Sequence, residues 1–118
     1  MQHYFNTDFA ARYSVAAAII AQNFWYWVRE NEKIGKNHFK GRYWIYDSVR
    51  EMSEIFYYLT PNKIRGAVDL LVQEGVLMKS NFNKVKYDRT SWYAFTDYGQ
   101  SIYENIEMEM RKSAKESA

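Results

Sequence analysis

Cysteine is absent from this chain of 118 residues, and proline occurs once, at Pro61. Without cysteine there is no disulfide framework and no thiolate metal site, and the simplest setting is a reducing cytoplasm. Histidine is scarce as well. His3 and His38 lie far apart and neither has a second ligand type at i, i+4, so metal or triad chemistry lacks a visible partner. Long apolar runs are also missing. The most apolar stretch, "VAAAIIAQNFWYWV" from Val15 to Val28, is interrupted by Gln22 and Asn23 and falls short of the roughly 20 residues a membrane span needs. The opening "MQHYFNTDFAAR" has no cationic segment followed by an apolar run, as a secretory signal would. No glycine-rich phosphate loop occurs, and the carboxylates fall mostly on expected solvent faces. These absences predict a soluble, cytoplasmic, non-enzymatic chain with no cofactor, no metal and no membrane partner.

What is present is enough for one core. Hydrophobic residues make up 47% and aromatic residues 19%, which excludes wholesale disorder and predicts a single domain over residues 1–110 with a disordered tail at 111–118. The formal charge of +2 says little about partners, but charge is segregated along the chain. Lys33, Lys36, Lys40, Arg42 and Arg50 face Asp47 alone, and Lys79, Lys84, Lys86 and Arg89 face Asp88 alone. Such patches can steer a polyanion even on a nearly neutral protein; the plain alternative is a solvated run of lysines.

Periodicity supplies the elements. Residues from about Arg12 to Asn31 read as a helix, with Ala16, Ile20, Phe24, Trp27 and Val28 at helical spacing. It is apolar well beyond one stripe, so it is expected to be central or covered by a partner chain. "RYWIY" (Arg42 to Tyr46) reads as a short strand. A second helix begins at Asp47 or Ser48, with Ser48 and Glu51 at capping-box spacing and Met52, Ile55 and Phe56 facing inward. Thr60 and Pro61 open a third, in which Ile64, Ala67, Val68 and Leu71 form one buried stripe and Gly75 ends it. "VLMKS" and "SWYAF" read as a hairpin whose tip carries Lys84 and Lys86 to one side and Val85 and Tyr87 to the other. A last helix carries Ile102, Ile106 and Met110 on one side. The predicted fold class is mainly α with a small antiparallel sheet (α+β), ordered as a winged helix-turn-helix.

That order places a binding surface. On the third helix, Asn62, Gly66, Asp69 and Gln73 emerge opposite the buried stripe, with Lys63 and Arg65 flanking. Amides can read adenine, arginine can read guanine, and glycine permits close backbone approach in a major groove. Thr60 and the free amides of the helix start suit a phosphate. Asp69 counts against DNA unless it accepts from a cytosine amine. Lys84, Lys86 and Arg89 on the hairpin would meet the phosphate backbone, where each neutralised phosphate releases counterions. The plain alternative is an ordinary amphipathic surface helix.

The segments "NEKIGKN", "GRYWIYDS" and "NFNKVKYDRTSWY", with the Tyr26–Trp27 pair before them, resemble the N-terminal domain of phage and prophage replication initiation proteins (replisome organisers) of Gram-positive bacteria. The matches cover most of residues 20–95. The resemblance implies a winged-helix domain that binds double-stranded DNA in origin recognition or replisome loading. It also implies replication proteins as partners, through a C-terminal region that would lie beyond Ala118. Two other functions fit the same elements. "YAFTDYGQSI" is similar to the start of the last helix in winged-helix regulators, implying a transcriptional repressor that forms a homodimer through the first and last helices. A winged helix serving only as a protein-interaction module is the third.

Overall fold

Capping side chains set the helix boundaries. The structure, a computed structural model, describes residues 2–117; Met1 and Ala118, the outer ends of the expected domain and tail, lie outside the described residues. Asn6 accepts from the Phe9 amide and starts α1 (Thr7–Arg12), a helix the sequence reading missed. Ser14 then accepts from the Ala17 amide at 3.0 Å and starts α2 (Val15–Ile34). The expected first helix is therefore broken at Ser14 rather than continuous from Arg12, because a serine oxygen competes for the amides of the following turn. Gly35, at φ 67°, ends α2 in the left-handed conformation that glycine adopts without steric cost.

Strands β1 (His38–Phe39) and β2 (Arg42–Tyr43) form a small two-stranded ribbon, also not foreseen. The expected "RYWIY" strand is interrupted at Trp44 and resumes as β3 (Ile45–Tyr46). The cause is long-range. The Asn31 amide on α2 donates to the Trp44 carbonyl at 2.9 Å, while the Trp44 amide donates back to the Asn37 carbonyl at 2.9 Å. Asn31 is the one buried polar side chain among the described core residues, and this bond satisfies it.

Ser48 caps α3 (Val49–Ile55) with Glu51 reaching back, a complete capping box; Asp47 stands outside it. After a turn over residues 56–60, α4 (Pro61–Gln73) runs to the left-handed Gly75. Strand β4 (Leu77–Ser80) pairs antiparallel with β5 (Trp92–Phe95), which also pairs with β3, giving the order β3-β5-β4 with Ile45 opposite Tyr93 and Leu77 opposite Phe95. The chain ends in α5 (Asp97–Ser117). Helix therefore extends through the segment expected to be a disordered tail from Arg111. No glycine or proline follows Gly99, and a Glu107–Arg111 pair supports the i, i+4 spacing.

The fold is thus mixed α and β: five helices and a small antiparallel sheet among the described residues. Helix α2 is central, packed against α1, α4 and the strands, and it buries Ala17, Ala18, Ile20, Ala21 and Phe24 completely. Ile64 and Leu71 of α4, Met52 and Phe56 of the α3 region and Leu77 of β4 meet it in one core. Helix α5 is held to α2 by Glu107, which accepts from the Trp25 indole at 2.6 Å and from Arg29 at 2.9 Å. No helix among the described residues is long and apolar enough to cross a membrane.

Candidate nucleic-acid interface

Helix α4 presents the polar face its periodicity demands. Thr60 accepts from the Lys63 amide at 3.2 Å and Pro61 occupies the first helical position. Ile64, Ala67, Val68 and Leu71 are buried; Thr60, Asn62, Lys63, Arg65, Gly66, Asp69 and Gln73 are all exposed. The helix start is a poorer anion site than expected. Pro61 has no N–H, the Lys63 amide is spent on Thr60 and the Ile64 amide on the Thr60 carbonyl, which leaves the Asn62 amide. The Thr60 hydroxyl can still donate outward. Arg65 donates to the Asn62 side-chain oxygen at 3.3 Å, so two of the candidate base-reading groups sit side by side. Burial pushes the Tyr93 hydroxyl up, and the Asp69 carboxylate adds to that rise.

Gly66 stands out. It lies inside α4 and a Cβ built on it would meet nothing within 4 Å. Neither backbone nor packing requires a glycine there, and glycine inside a helix costs roughly 1 kcal/mol relative to alanine. The cost is consistent with a surface that another molecule approaches closely.

The connection between β4 and β5 is not the extended hairpin tip that the sequence suggested. Strand pairing ends at Ser80 and Trp92, and residues 81–91 fold into a loop of bends and turns, so strand alternation does not decide where Lys84 and Lys86 point. Short polar side chains impose this. Asn81 accepts from the Asn83 amide at 2.8 Å; the Asn83 side-chain amide donates to the carbonyls of Asp88 and Thr90 at 2.9 and 2.7 Å; its oxygen accepts from the Trp92 indole at 2.8 Å. Asp88 accepts from the Tyr46 hydroxyl at 2.6 Å and from the Thr90 amide at 3.0 Å. The Tyr46 hydroxyl, joined by Thr90, holds the Asp88 carboxyl below its ordinary value. The loop's one acid is therefore committed to holding the loop together.

Its cations are not. Lys84, Lys86 and Arg89 are exposed, and no carboxylate among the described residues pairs with them. The first basic segment is divided differently. Lys33 pairs with Glu30 at 3.1 Å, and Arg42 turns inward to donate to Asp97 at 2.8 Å and to the Phe95 carbonyl at 3.1 Å. That leaves Lys36, Lys40 and Arg50 without an acidic partner among the described residues.

Aromatic stacking joins the two segments, which the sequence reading did not foresee. Phe39 stacks on Phe82 with centroids 4.8 Å apart, Trp44 meets Phe82 at 4.9 Å, and Tyr46 meets Trp92 at 4.7 Å. The run of aromatic residues among these cations was the available signal, but which ring meets which is decided by the fold. Of the histidines, His3 lies 2.6 Å from the Tyr58 hydroxyl, and His38 packs on Tyr43. No family model, curated protein or solved structure matches this chain.

Proposed function

We propose that this chain is a winged helix-turn-helix domain that binds double-stranded DNA, serving as the DNA-binding part of a phage-type replication initiator. In this reading α4 enters the major groove with Asn62, Arg65, Gly66, Asp69 and Gln73 toward the bases, and Lys63 and Thr60 toward the backbone. Loop 81–91 is the wing, and Lys84, Lys86 and Arg89 meet the phosphates beside the groove. One observation carries the reading: the loop's own acid is held by Tyr46 and Thr90 while its three cations face solvent with no acidic partner among the described residues. Cations left uncompensated on an internally bonded loop suit an external anion, and a duplex supplies one phosphate after another.

The mechanism is counterion release plus groove readout. Three phosphate contacts contribute about −3 to the slope of log K against log salt concentration. Gel-shift titration on the origin or on the coding region for this protein, at two salt concentrations, tests it. The expected result is binding tighter than that of a charge-matched control, with a steep salt dependence that weakens when Lys84, Lys86 and Arg89 become alanine. Binding no tighter than the control refutes it. Contact with replication proteins is part of the same proposal.

A dimeric repressor is the second reading, and α5 is the observation in its favour. Beyond Ile106, Met108 and Met110 are 62% and 63% exposed. Glu104 and Glu109 lie before Arg111, Lys112 and Lys115, so two antiparallel copies of α5 would set the cations of one over the acids of the other. A dimer by sedimentation at micromolar concentration, with a palindromic target, supports it; a monomer argues against it.

A further inference from the structure

Lys40 occupies a backbone position that suits it badly. The ribbon of β1 and β2 pairs Phe39 with Arg42, so its turn consists of Lys40 and Gly41 alone. Both are left-handed, at φ 51° and 74°. A two-residue turn with two positive φ values favours asparagine or glycine at its first position, because a side chain with a long stem gains nothing from the left-handed conformation. This chain uses asparagine for the purpose three residues earlier, where Asn37 has φ 57°. At the tip it places a lysine instead.

The ribbon is also held where a cation would be useful. An isolated pair of two-residue strands has little stability of its own. Here Phe39 stacks on Phe82 of the loop at 4.8 Å and meets Trp92 edge-on at 5.6 Å, and its carbonyl accepts from the Trp44 indole at 2.8 Å. These contacts bring the tip to the loop: the Lys40 ammonium lies 5.8 Å from the centre of the Phe82 ring, two residues before Lys84. Arg42 is withdrawn into its bond with Asp97, while Lys36 and Lys40 remain exposed and unpaired among the described residues. The nearest acid of the loop, Asp88, is occupied by Tyr46 and Thr90.

We infer that the β1–β2 turn is a second phosphate-binding arm, in which Lys36 and Lys40 extend the cationic edge of loop 81–91 along the backbone of the same duplex. The inference rests on the DNA-binding reading above and adds to it two residues and an element outside the helix-turn-helix. The ribbon matters because it converts two basic segments, separated by some forty residues of chain, into one contiguous surface. A continuous edge can follow successive phosphates, whereas a single loop meets a few.

The test compares wild type, Lys36→Gln/Lys40→Asn and Lys40→Arg for binding to a short duplex and to its single strand across about 50 to 200 mM salt. Thermal melts accompany each titration. Wild type should bind the duplex with a negative salt slope; no such binding sinks the DNA-binding reading itself, and this inference with it. Given that binding, the double variant should lose about 1.8 from the magnitude of the slope. It should also melt no lower than wild type, because asparagine suits the turn. Lys40→Arg should keep the wild-type slope. The inference is overturned if the double variant binds the duplex with unchanged slope and affinity, or if only single-strand binding falls. It is equally overturned if Lys40→Arg loses as much as the double variant, which would make Lys40 a prop for Phe82 rather than a phosphate contact.

Discussion

Replacing Gly66 with alanine separates the stability of α4 from its use. The site lies inside the helix, its φ is outside the left-handed range, and an added Cβ finds nothing within 4 Å. Alanine there relieves the entropy that glycine loses on folding, a gain of about 0.5–1 kcal/mol. Unfolding entropies near 2 cal/mol/K per residue give about 0.25 kcal/mol/K for 118 residues, so Tm should rise by about 2–4 °C. Against a duplex the same methyl group is an obstruction. Overfilling a packed contact costs about 1–3 kcal/mol, which corresponds to a loss in affinity between about fivefold and about 150-fold. Calorimetry or a circular-dichroism melt reads the first number, and fluorescence anisotropy on a labelled duplex reads the second. A higher Tm with unchanged affinity would refute the placement of this face against DNA. A lower Tm would refute the reasoning about open space.

Three more changes probe the scaffold. Gly99→Ala should destabilise the domain by about 1–3 kcal/mol or abolish folding, read by urea titration, because its Cβ would collide with the Val76 carbonyl oxygen. Glu107→Ala should cost about 1–3 kcal/mol in the same assay, since the Trp25 indole and Arg29 lose their acceptor at a half-buried site. Asp47 should make stability pH dependent: burial, and then the neighbouring Glu51, push its carboxyl from 3.8 up to about 7. Between these two values the unfolded chain has released a proton that the fold retains, so stability falls as pH rises and levels off above about 7. Below 3.8 both states hold the proton and this penalty is absent. Asp47→Asn should flatten the decline in Tm between pH 4 and 7 relative to wild type; an unaltered decline would assign it to other groups.

Much of α4 and its surroundings follows from the sequence alone, because the interactions that specify them are local. Thr60 and Pro61 start the helix, Gly75 ends it, and the spacing of Ile64, Ala67, Val68 and Leu71 decides which side is buried. Once that side is known, the exposure of Asn62, Arg65, Gly66, Asp69 and Gln73 follows from 3.6 residues per turn. The capping box of Ser48 and Glu51 is likewise written within a few residues of where it acts, and the apolar runs that become β4 and β5 are each legible from their own residues. Ser14 marks the limit of that reading, since a serine in an apolar run does not reveal whether it will cap or continue a helix.

The availability of each cation was decided elsewhere. Arg42 and Lys40 are two residues apart, yet one is neutralised by Asp97 and the other is left outside, a difference set by where α5 begins. The motif "NFNKVKYDRT" looked like charge on a hairpin tip. Folded, it divides into Asn81, Asn83, Asp88 and Thr90, which bind the loop to itself, and Lys84, Lys86 and Arg89, which pair with no acid among the described residues. Helical and strand periodicity depends on neighbours along the backbone and can be read from spacing. The partner of a charge or an aromatic ring depends on what the fold brings within a few ångströms, and Phe39 meeting Phe82 is a fact of tertiary structure alone.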